Sequence, residues 1–224
     1  MTEDSKTHTS HYDQALHRGK TRMHASLDPS HNTTHAQHVE AFALEIYDEL
    51  KKEHYPGIES LSPMLVSLAS WWHDCYKAQC DRFTLYAAFH EGAESEKIIR
   101  EELTSLLSTT DLDLLCEAVR YHAGTDLFPY FFFNKPRSIL HMILLEADSC
   151  DIIDIDRAKR LPTPAPSITE KIWTVVEILE SITLPLYLRT RSTRQNLGQR
   201  LWKFWGVWFW TDWMFFKRLF GRKR

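Results

Sequence analysis

The chain has 224 residues, and its 27 lysines and arginines against 30 aspartates and glutamates give a formal net charge of -3. This balance argues against a general nucleic-acid binder, and the length suits one domain with a sizeable core. Four cysteines without CxxC spacing, and no signal peptide, favour free thiols in a cytoplasmic protein. Seven glycines, few alternating strand patterns and many helical stripes predict an all-α fold.

The N-terminal residues 1–27 are polar and carry scattered histidines, which predicts a disordered arm. Residues 28–30, Asp-Pro-Ser, supply turn and N-cap chemistry for the helix that follows. Its apolar stripe consists of Val39, Phe42, Ile46 and Leu50. His35 lies one turn before Val39 on that stripe, whereas His38 is rotated toward its edge. We therefore expect His35 to face the core and His38 to flank it.

The next predicted helix begins at Ser62 and Pro63 and ends in the sequence WWHDCYK, residues 71–77. His73 falls on its apolar stripe, which contains Leu65, Leu68, Ala69, Trp72 and Tyr76. Adjacent residues in the middle of a helix do not face each other. A His73 and Asp74 pair that serves one metal ion must therefore lie at a helix end or a kink.

Three later segments complete the predicted domain, residues 28–160. Residues 89–94, which include His90, lead into a short helix that ends near Leu103. Thr110 and Asp111 cap the following helix, and His122 continues its apolar side.

The segment from Ile139 to Ile153 is apolar nearly all round and is predicted to be the most deeply buried helix. Its polar interruption, Glu-Ala-Asp at 146–148, places Asp148 in the core. The aromatic run 128–133 that precedes it either lids a cavity or belongs to the core.

The C-terminal third has a different composition. Residues 161–200 contain a proline-rich linker and a further amphipathic helix. Residues 201–224 hold five of the eight tryptophans among basic residues, which predicts an amphipathic helix. It either lies at a membrane surface or protein partner, as we favour, or folds back as a final core helix.

Several histidines and aspartates on different helices are predicted to meet. Buried imidazoles and carboxylates are costly unless a cation lies between them. The chain supplies such a set in His35, His73, Asp74, His90, His122 and Asp148. Nitrogen and oxygen ligands without a thiolate suit one or two divalent ions of Fe, Mn, Mg, Co or Zn.

The order of four of these residues resembles the HD-domain superfamily of metal-dependent phosphohydrolases: His35, His73, Asp74 and Asp148. Val39, four residues after the first histidine, and the HDxxK form of residues 73–77 add to a likeness that covers about residues 30–157. The resemblance implies an HD-type helical bundle. It also implies that metal-bound hydroxide cleaves a phosphate ester or anhydride.

Three further motifs are similar to those of the bacterial YqeK-type symmetrical dinucleoside tetraphosphatases: HEGA at 90–93, AVRYH at 118–122 and LEAD at 145–148. That group holds two irons. The resemblance implies that His35, His73, Asp74 and Asp148 bind the first ion. By the same resemblance, His90 and His122 complete the second ion's ligands.

Other residues are candidates for acting on the substrate. HNTTH at 31–35 resembles the HNxxH motif of cyclic-nucleotide phosphodiesterases, in which the earlier histidine protonates the leaving oxygen. His31 either has this general-acid role or merely caps the helix start. Asp74 is expected to orient the hydroxide. The candidate phosphate contacts are Lys77, Arg120, Lys135 and Arg137.

Together these residues predict a metal-dependent phosphohydrolase whose substrate is a small phosphorylated molecule such as a nucleotide. The protein is expected in the cytoplasm, either free or at a membrane surface. Asp151, three residues after Asp148, either supports a ligand histidine through a hydrogen bond or is a surface charge. Two alternatives remain. One is a di-iron oxygenase of the HD type, and the other is a non-catalytic protein that recruits a membrane or a partner.

Overall fold

The computed structural model describes residues 3–28, 31–81, 85–122 and 136–152, together with residues 190, 191, 193 and 194. Within these residues the chain is all-α, as predicted, with no β-strand. Six α-helices are found in the described ranges: α1 (Glu3–His24), α2 (Thr33–Lys52), α3 (Pro63–Trp72), α4 (Leu85–Leu103), α5 (Thr109–His122) and α6 (Ile139–Ile152).

Helix α6 is the centre of the packing. It contacts α2, α3 and α5, while α2 also packs on α3. Helix α4 pairs with α5, and α1 lies against α3 and α2. The helices and helix ends that carry His35, His73, His122 and Asp148 are therefore neighbours in one bundle.

Helix α1 shows that the prediction of a disordered arm over residues 1–27 is wrong. Ala15 and Met23 are buried in the core that α1 shares with the rest of the bundle. The indole Nε1 of Trp72 donates a hydrogen bond to the carbonyl oxygen of Ala15 at 3.0 Å. Gly19 leaves room for this ring, since a Cβ at Gly19 would lie 2.6 Å from the same Nε1. Packing against α3 thus orders a segment whose composition is mainly polar.

The two helices that lead into the predicted centre begin at side-chain caps. Asn32 caps α2, where residues 28–30 had been expected to do so, and its side chain accepts hydrogen bonds from two backbone N–H groups of the first turn. Ser62 caps α3 with Pro63 in the first turn, as predicted. These caps determine where each helix begins and therefore which residues its first turn presents.

Helix α4 begins at Leu85, so that it is longer than predicted and includes His90. It packs on α5 with the two backbones in close approach. A Cβ at Gly92 would lie 2.1 Å from the carbonyl oxygen of Arg120, so a larger residue there would separate the helices. On α5 the cap is Ser108, whose hydroxyl oxygen accepts from the N–H of Asp111 at 3.2 Å.

Helix α6 is buried nearly all round, as its apolar sequence predicted. Its Glu146 faces a described fragment of the C-terminal part, where the Thr190 hydroxyl donates to the Glu146 carboxylate at 2.6 Å. Of the helices in the described ranges, none combines the length and apolar character needed to cross a membrane. The predictions for the aromatic run 128–133, the linker and helix within 161–200 and the helix at 201–224 lie largely or wholly outside the described residues.

Candidate metal centre

His73 and Asp74 lie at the C-terminal end of α3, as their adjacency required. His73 is the C-cap residue of the helix, and its backbone N–H still donates to the carbonyl oxygen of Ala69. Asp74 follows in a tight turn, in which the N–H of Ala78 donates to the Asp74 carbonyl oxygen at 2.9 Å. The turn brings both side chains to one point, because their Nε2 and Oδ2 atoms are 3.0 Å apart.

Helices α2 and α6 add one ligand atom each to this point. His35 Nε2 lies 2.9 Å from His73 Nε2 and 3.0 Å from Asp74 Oδ2. Asp148 Oδ1 lies 3.5 Å from His35 Nε2 and 3.8 Å from His73 Nε2. Four atoms that can bind a cation thus converge from three helices and the turn after α3.

His122, the last residue of α5, reaches the opposite side of the Asp74 carboxylate. Its Nε2 lies 3.6 Å from Asp74 Oδ1 and its ring centroid 5.0 Å from that of His73. Among the described residues, two overlapping groups have ligand atoms close enough to hold a metal ion. They are His35, His73 and Asp74, and His73, His122 and Asp148.

The hydrogen bonds of the outer ring nitrogens decide which nitrogens can bind a metal. His73 Nδ1 lies 2.8 Å from the carbonyl oxygen of Ser70, and His122 Nδ1 lies 2.5 Å from that of Val119. A carbonyl oxygen only accepts, so each Nδ1 carries a proton, and each Nε2 presents a lone pair when the ring is neutral. His35 follows the same rule, since its Nδ1–H donates to Asp151 Oδ2 at 2.6 Å.

This arrangement could hold a metal ion. With the Nδ1 atoms protonated, the Nε2 lone pairs of His35 and His73 face each other and the Asp74 carboxylate across about 3 Å. Asp74 Oδ1 is moreover buried and accepts no hydrogen bond from the described part of the chain. A proton or a cation between these atoms would relieve the repulsion, and only a cation satisfies all of them at once.

The ionisation of the acidic residues agrees with a ligand role. Burial alone would raise the pKa of the Asp74 carboxyl group, but positive charge on His73 and Lys77 outweighs burial and holds this pKa well below its ordinary value. Burial would also raise the pKa of the Asp148 carboxyl group, but His73 and His35 outweigh burial and lower this pKa. For His73, burial lowers the pKa, yet the nearby Asp74 raises it more. Metal binding must therefore compete with a proton on His73.

One side of the cluster is open to solvent. The side chains of His35, His73 and Asp74 are at most 3 % exposed, whereas those of Asp148 and Lys77 are 17 % and 21 % exposed. His31, at 16 %, lies on the same open side, with its Nε2 3.9 Å from Asp74 Oδ2. A small molecule can approach the ligand atoms from this direction.

His31 is held by a contact with Asp28 and does not cap the helix. Its Nδ1 lies 2.8 Å from Asp28 Oδ2, and its Nε2 lies 3.3 Å from the Nζ of Lys77. The cap of α2 is Asn32, one residue later. The alternative in which His31 merely caps the helix start is therefore wrong, and its ring points toward the centre.

His90, a predicted ligand of a second ion, is not brought to the cluster. It is exposed on α4, where its ring stacks on Tyr86 with centroids 4.1 Å apart and its Nδ1 bonds to the Tyr86 carbonyl oxygen. Neighbouring residues of a helix point about 100° apart, and it is Glu91 that faces inward. Glu91 Oε2 lies 2.5 Å from the Nζ of Lys77.

Asp151 supports a histidine of the cluster through a hydrogen bond, which was one of the two roles predicted for it. Its Oδ2 binds His35 as described above, and its Oδ1 accepts from Nδ1 of His38 at 2.8 Å. His38 is 42 % exposed and flanks the cluster, as predicted. Asp151 therefore holds the ring of His35 in the orientation that directs Nε2 inward.

The two arginines that were candidate phosphate contacts lie elsewhere. Arg120 is exposed and donates to Glu96 at 2.8 Å across the α4 and α5 surface. Arg137 is also exposed, and its guanidinium carbon lies 3.7 Å from the centroid of the Tyr121 ring. Lys135 lies outside the described residues.

Sequence reasoning missed Asp28 and Glu91 as parts of this centre. Glu91 belongs to a stripe of residues at intervals of four along α4, which is evident only once their burial is known: Ala87, Glu91, Ser95, Ile99 and Leu103. Asp28 is three residues before His31, a common spacing for a local hydrogen bond. Asp28 was instead assigned to the turn before α2.

Comparison of the chain with protein-family models, with curated proteins and with solved structures gave no match.

Proposed function

We propose that the chain is a metal-dependent phosphohydrolase of the HD type that acts on a nucleotide or a related small phosphate ester or anhydride. The observation that carries this proposal is the meeting of His35, His73, Asp74 and Asp148 with their ligand atoms directed to one point. These are the residues by which the sequence resembles the HD superfamily. The geometry supports a metal site, and the motif order supports hydrolysis as its chemistry.

The ligand atoms narrow the choice of ion. Two or three imidazoles with two carboxylates favour Fe, Mn, Co or Zn over Mg, which prefers oxygen ligands. A divalent ion at this place would activate water for attack on phosphorus and neutralise charge on the phosphoryl oxygens. His35, His73, Asp74 and Asp148 would hold it.

The residues of the open side can act on the substrate directly. The ammonium of Lys77 is placed to bind a phosphoryl oxygen and to stabilise the charge that develops on it. Asp74 Oδ1, which accepts no hydrogen bond from the described residues, can accept one from the attacking water and orient it.

His31 is the best general acid for the leaving oxygen. Asp28 accepts from its Nδ1 and thereby directs Nε2 toward the centre. The same carboxylate stabilises the protonated ring until the proton is transferred to the leaving group. The guanidinium of Arg137 lies over the Tyr121 ring and not at the cluster, so its role as a phosphate contact stays a prediction from the sequence. Arg120 is already paired with Glu96 and is left out of the proposal.

Phosphate release tests this function. Protein loaded with Mn²⁺ or Fe²⁺ without oxygen should release phosphate from at least one member of a panel of nucleoside phosphates and dinucleoside polyphosphates. Asp74→Ala should lower the rate by at least about 100-fold, the loss typical of removing a group that stabilises a transition state. His54→Ala, a change to a side chain that is 87 % exposed, should leave the rate unchanged.

The same assay decides between the proposal and its rivals. Equal, near-zero rates for wild type and Asp74→Ala would favour a non-catalytic protein. Oxygen consumption without phosphate release would favour the di-iron oxygenase. The second iron of the di-iron oxygenase would lack His90, which is exposed on α4, and residues 201–224, which suggest the recruitment role, lie outside the described residues. Attachment to a membrane or a protein partner stays a prediction.

A further inference from the structure

We infer that the centre takes a single divalent ion, because the ammonium group of Lys77 occupies the place beside Asp74 in which a second ion would bind. The inference rests on the metal site of the proposed function and departs from the two-iron centre that the sequence resemblance implies. In this inference, the ammonium group of Lys77 provides the positive charge that a second ion would otherwise provide.

The Asp74 carboxylate has two sides with different neighbours. Its Oδ2 faces His35 and His73 at 3.0 Å each, on the side of the first ion. Its Oδ1 faces His122 Nε2 at 3.6 Å and Lys77 Nζ at 3.8 Å. A carboxylate in this position can bridge two cations, and Lys77 is the cation found on the second side.

Three groups that could bind a metal ion surround Lys77 Nζ instead. They are Asp74 Oδ1 at 3.8 Å, Glu91 Oε2 at 2.5 Å and His31 Nε2 at 3.3 Å. Glu91 is buried, and its Oε2 forms an ion pair with Lys77 Nζ. Its Oε2 accepts no hydrogen bond from the described residues, so the positive charge of Lys77 is what compensates it.

Lys77 is held there by the backbone. It follows Asp74 by three residues in a 3₁₀ turn, Lys77–Gln79, and the next residue, Ala78, is buried. The N–H of Ala78 donates to Asp74, and its carbonyl oxygen accepts from the N–H of Leu27 at 2.9 Å. These bonds fix the backbone from which the lysine side chain starts.

A second ion would also lack a ligand. His90, which the resemblance assigns to it, points away from the centre on α4. An ion bound by Asp74 Oδ1 and Glu91 would have to share its space with the ammonium, and two cations repel each other at such a distance. One ion together with Lys77 would thus compensate the charges of Asp74, Asp148 and Glu91.

Metal counting tests the inference without any enzyme assay. Full-length protein is equilibrated with Mn²⁺, the bound metal per chain is measured, and electron paramagnetic resonance shows whether the bound ions are magnetically coupled. We expect one Mn²⁺ per chain with an uncoupled signal for wild type. Lys77→Met, which keeps an apolar stem but removes the charge, should bind two coupled ions.

Two variants serve as controls. Lys77→Arg keeps a positive charge and should still bind one ion. Lys97→Met removes an exposed ammonium that pairs only with Glu94 among the contacts described, and it should behave as wild type. If Lys77→Met does not fold, Lys77→Gln, which also removes the charge, takes its place with the same expected count of two ions.

The outcomes separate this inference from the proposed function. Two ions bound to the wild-type chain would overturn the inference and leave the hydrolase proposal intact. A single ion in folded Lys77→Met would also overturn it, since Lys77 would not be what keeps the second ion out. No bound metal in the wild type would overturn both.

Discussion

Buried histidines occur in two regions of the bundle, and they differ in how their ring nitrogens are satisfied. His141, on α6, accepts at Nδ1 from the N–H of Arg137 at 3.2 Å and donates from Nε2 to the Tyr121 carbonyl oxygen at 3.1 Å. In the centre, His35 and His73 also use Nδ1, but their Nε2 atoms face each other at 2.9 Å.

The comparison teaches that burial alone does not identify a metal ligand. His141 is a neutral core residue, and burial lowers its pKa to about 4. The pKa of the equally buried His73 is raised, because the attraction of Asp74 exceeds the effect of burial. At His35 and His73, by contrast, each inner nitrogen faces other electron-rich atoms, which is the arrangement expected of a metal ligand.

The largest effect is expected from His73→Ala, which removes a shared ligand of both possible groups. Metal binding should fall below detection while circular dichroism still shows a helical protein. Asp148→Ala should have the same result. Retention of one ion per chain by either variant would place the centre elsewhere and remove the contrast with His141.

His141 should matter for stability in acid and not for metal. Because its pKa is lowered from 6.5 to about 4, both states are neutral above pH 6.5 and the shift has no effect there. As the pH falls from 6.5 to 4, only the unfolded state gains the proton, so stability falls by about 3 kcal/mol in all, at about 1.4 kcal/mol per pH unit.

Urea unfolding of His141→Gln measures this contribution. The variant lacks a titrating group and should lose less stability than wild type between pH 6.5 and pH 4, while its metal content stays at the wild-type value. Equal acid sensitivity in the two proteins would mean that His141 is not the neutral, satisfied residue that its hydrogen bonds indicate.

Asp151→Asn should weaken metal binding by about 10 to 100-fold, the usual cost of altering a group that orients a ligand histidine. His35 and His38 donate to different oxygens of Asp151, and an asparagine would put an NH2 donor in place of one of them. Competition with a chelator gives the affinity, and Asp48→Asn on the exposed side of α2 is the control. Unchanged affinity would show that Asp151 does not position His35.

The smallest effect is expected from His38→Ala. Its ring is 42 % exposed and bonds to Asp151, so its loss should change metal affinity by less than about threefold, as for other exposed charged contacts. If His38→Ala removes the metal, His38 is a ligand and the assignment of His35 is wrong.

Much of the centre could be predicted from sequence because it depends on local geometry. The apolar stripe of α2 directs His35 inward, and the adjacency of His73 and Asp74 required the helix end at which they lie. The core position of Asp148 was predicted because this residue belongs to a helix that is apolar nearly all round. In each case the residue and the elements that position it are close in the chain.

Helix α4 could not be predicted in the same way. His90 and Glu91 are neighbours, and which of them faces the centre depends on how the whole helix is rotated. That rotation is fixed by the approach of Gly92 to the backbone of α5 and by the buried Ile99 and Leu103. The histidine motif alone therefore predicted that His90 faces the centre, whereas Glu91 does.

The sequence by itself determined the all-α class and the helix faces that carry His35, His73 and Asp148, because helical periodicity is a local property of the chain. Only the tertiary structure decided that α1 is ordered, that Glu91 turns toward Lys77, and that Asp28 and Asp151 hold the outer nitrogens of two histidines. These features depend on contacts between segments distant in the chain, whose relative rotation no local pattern specifies.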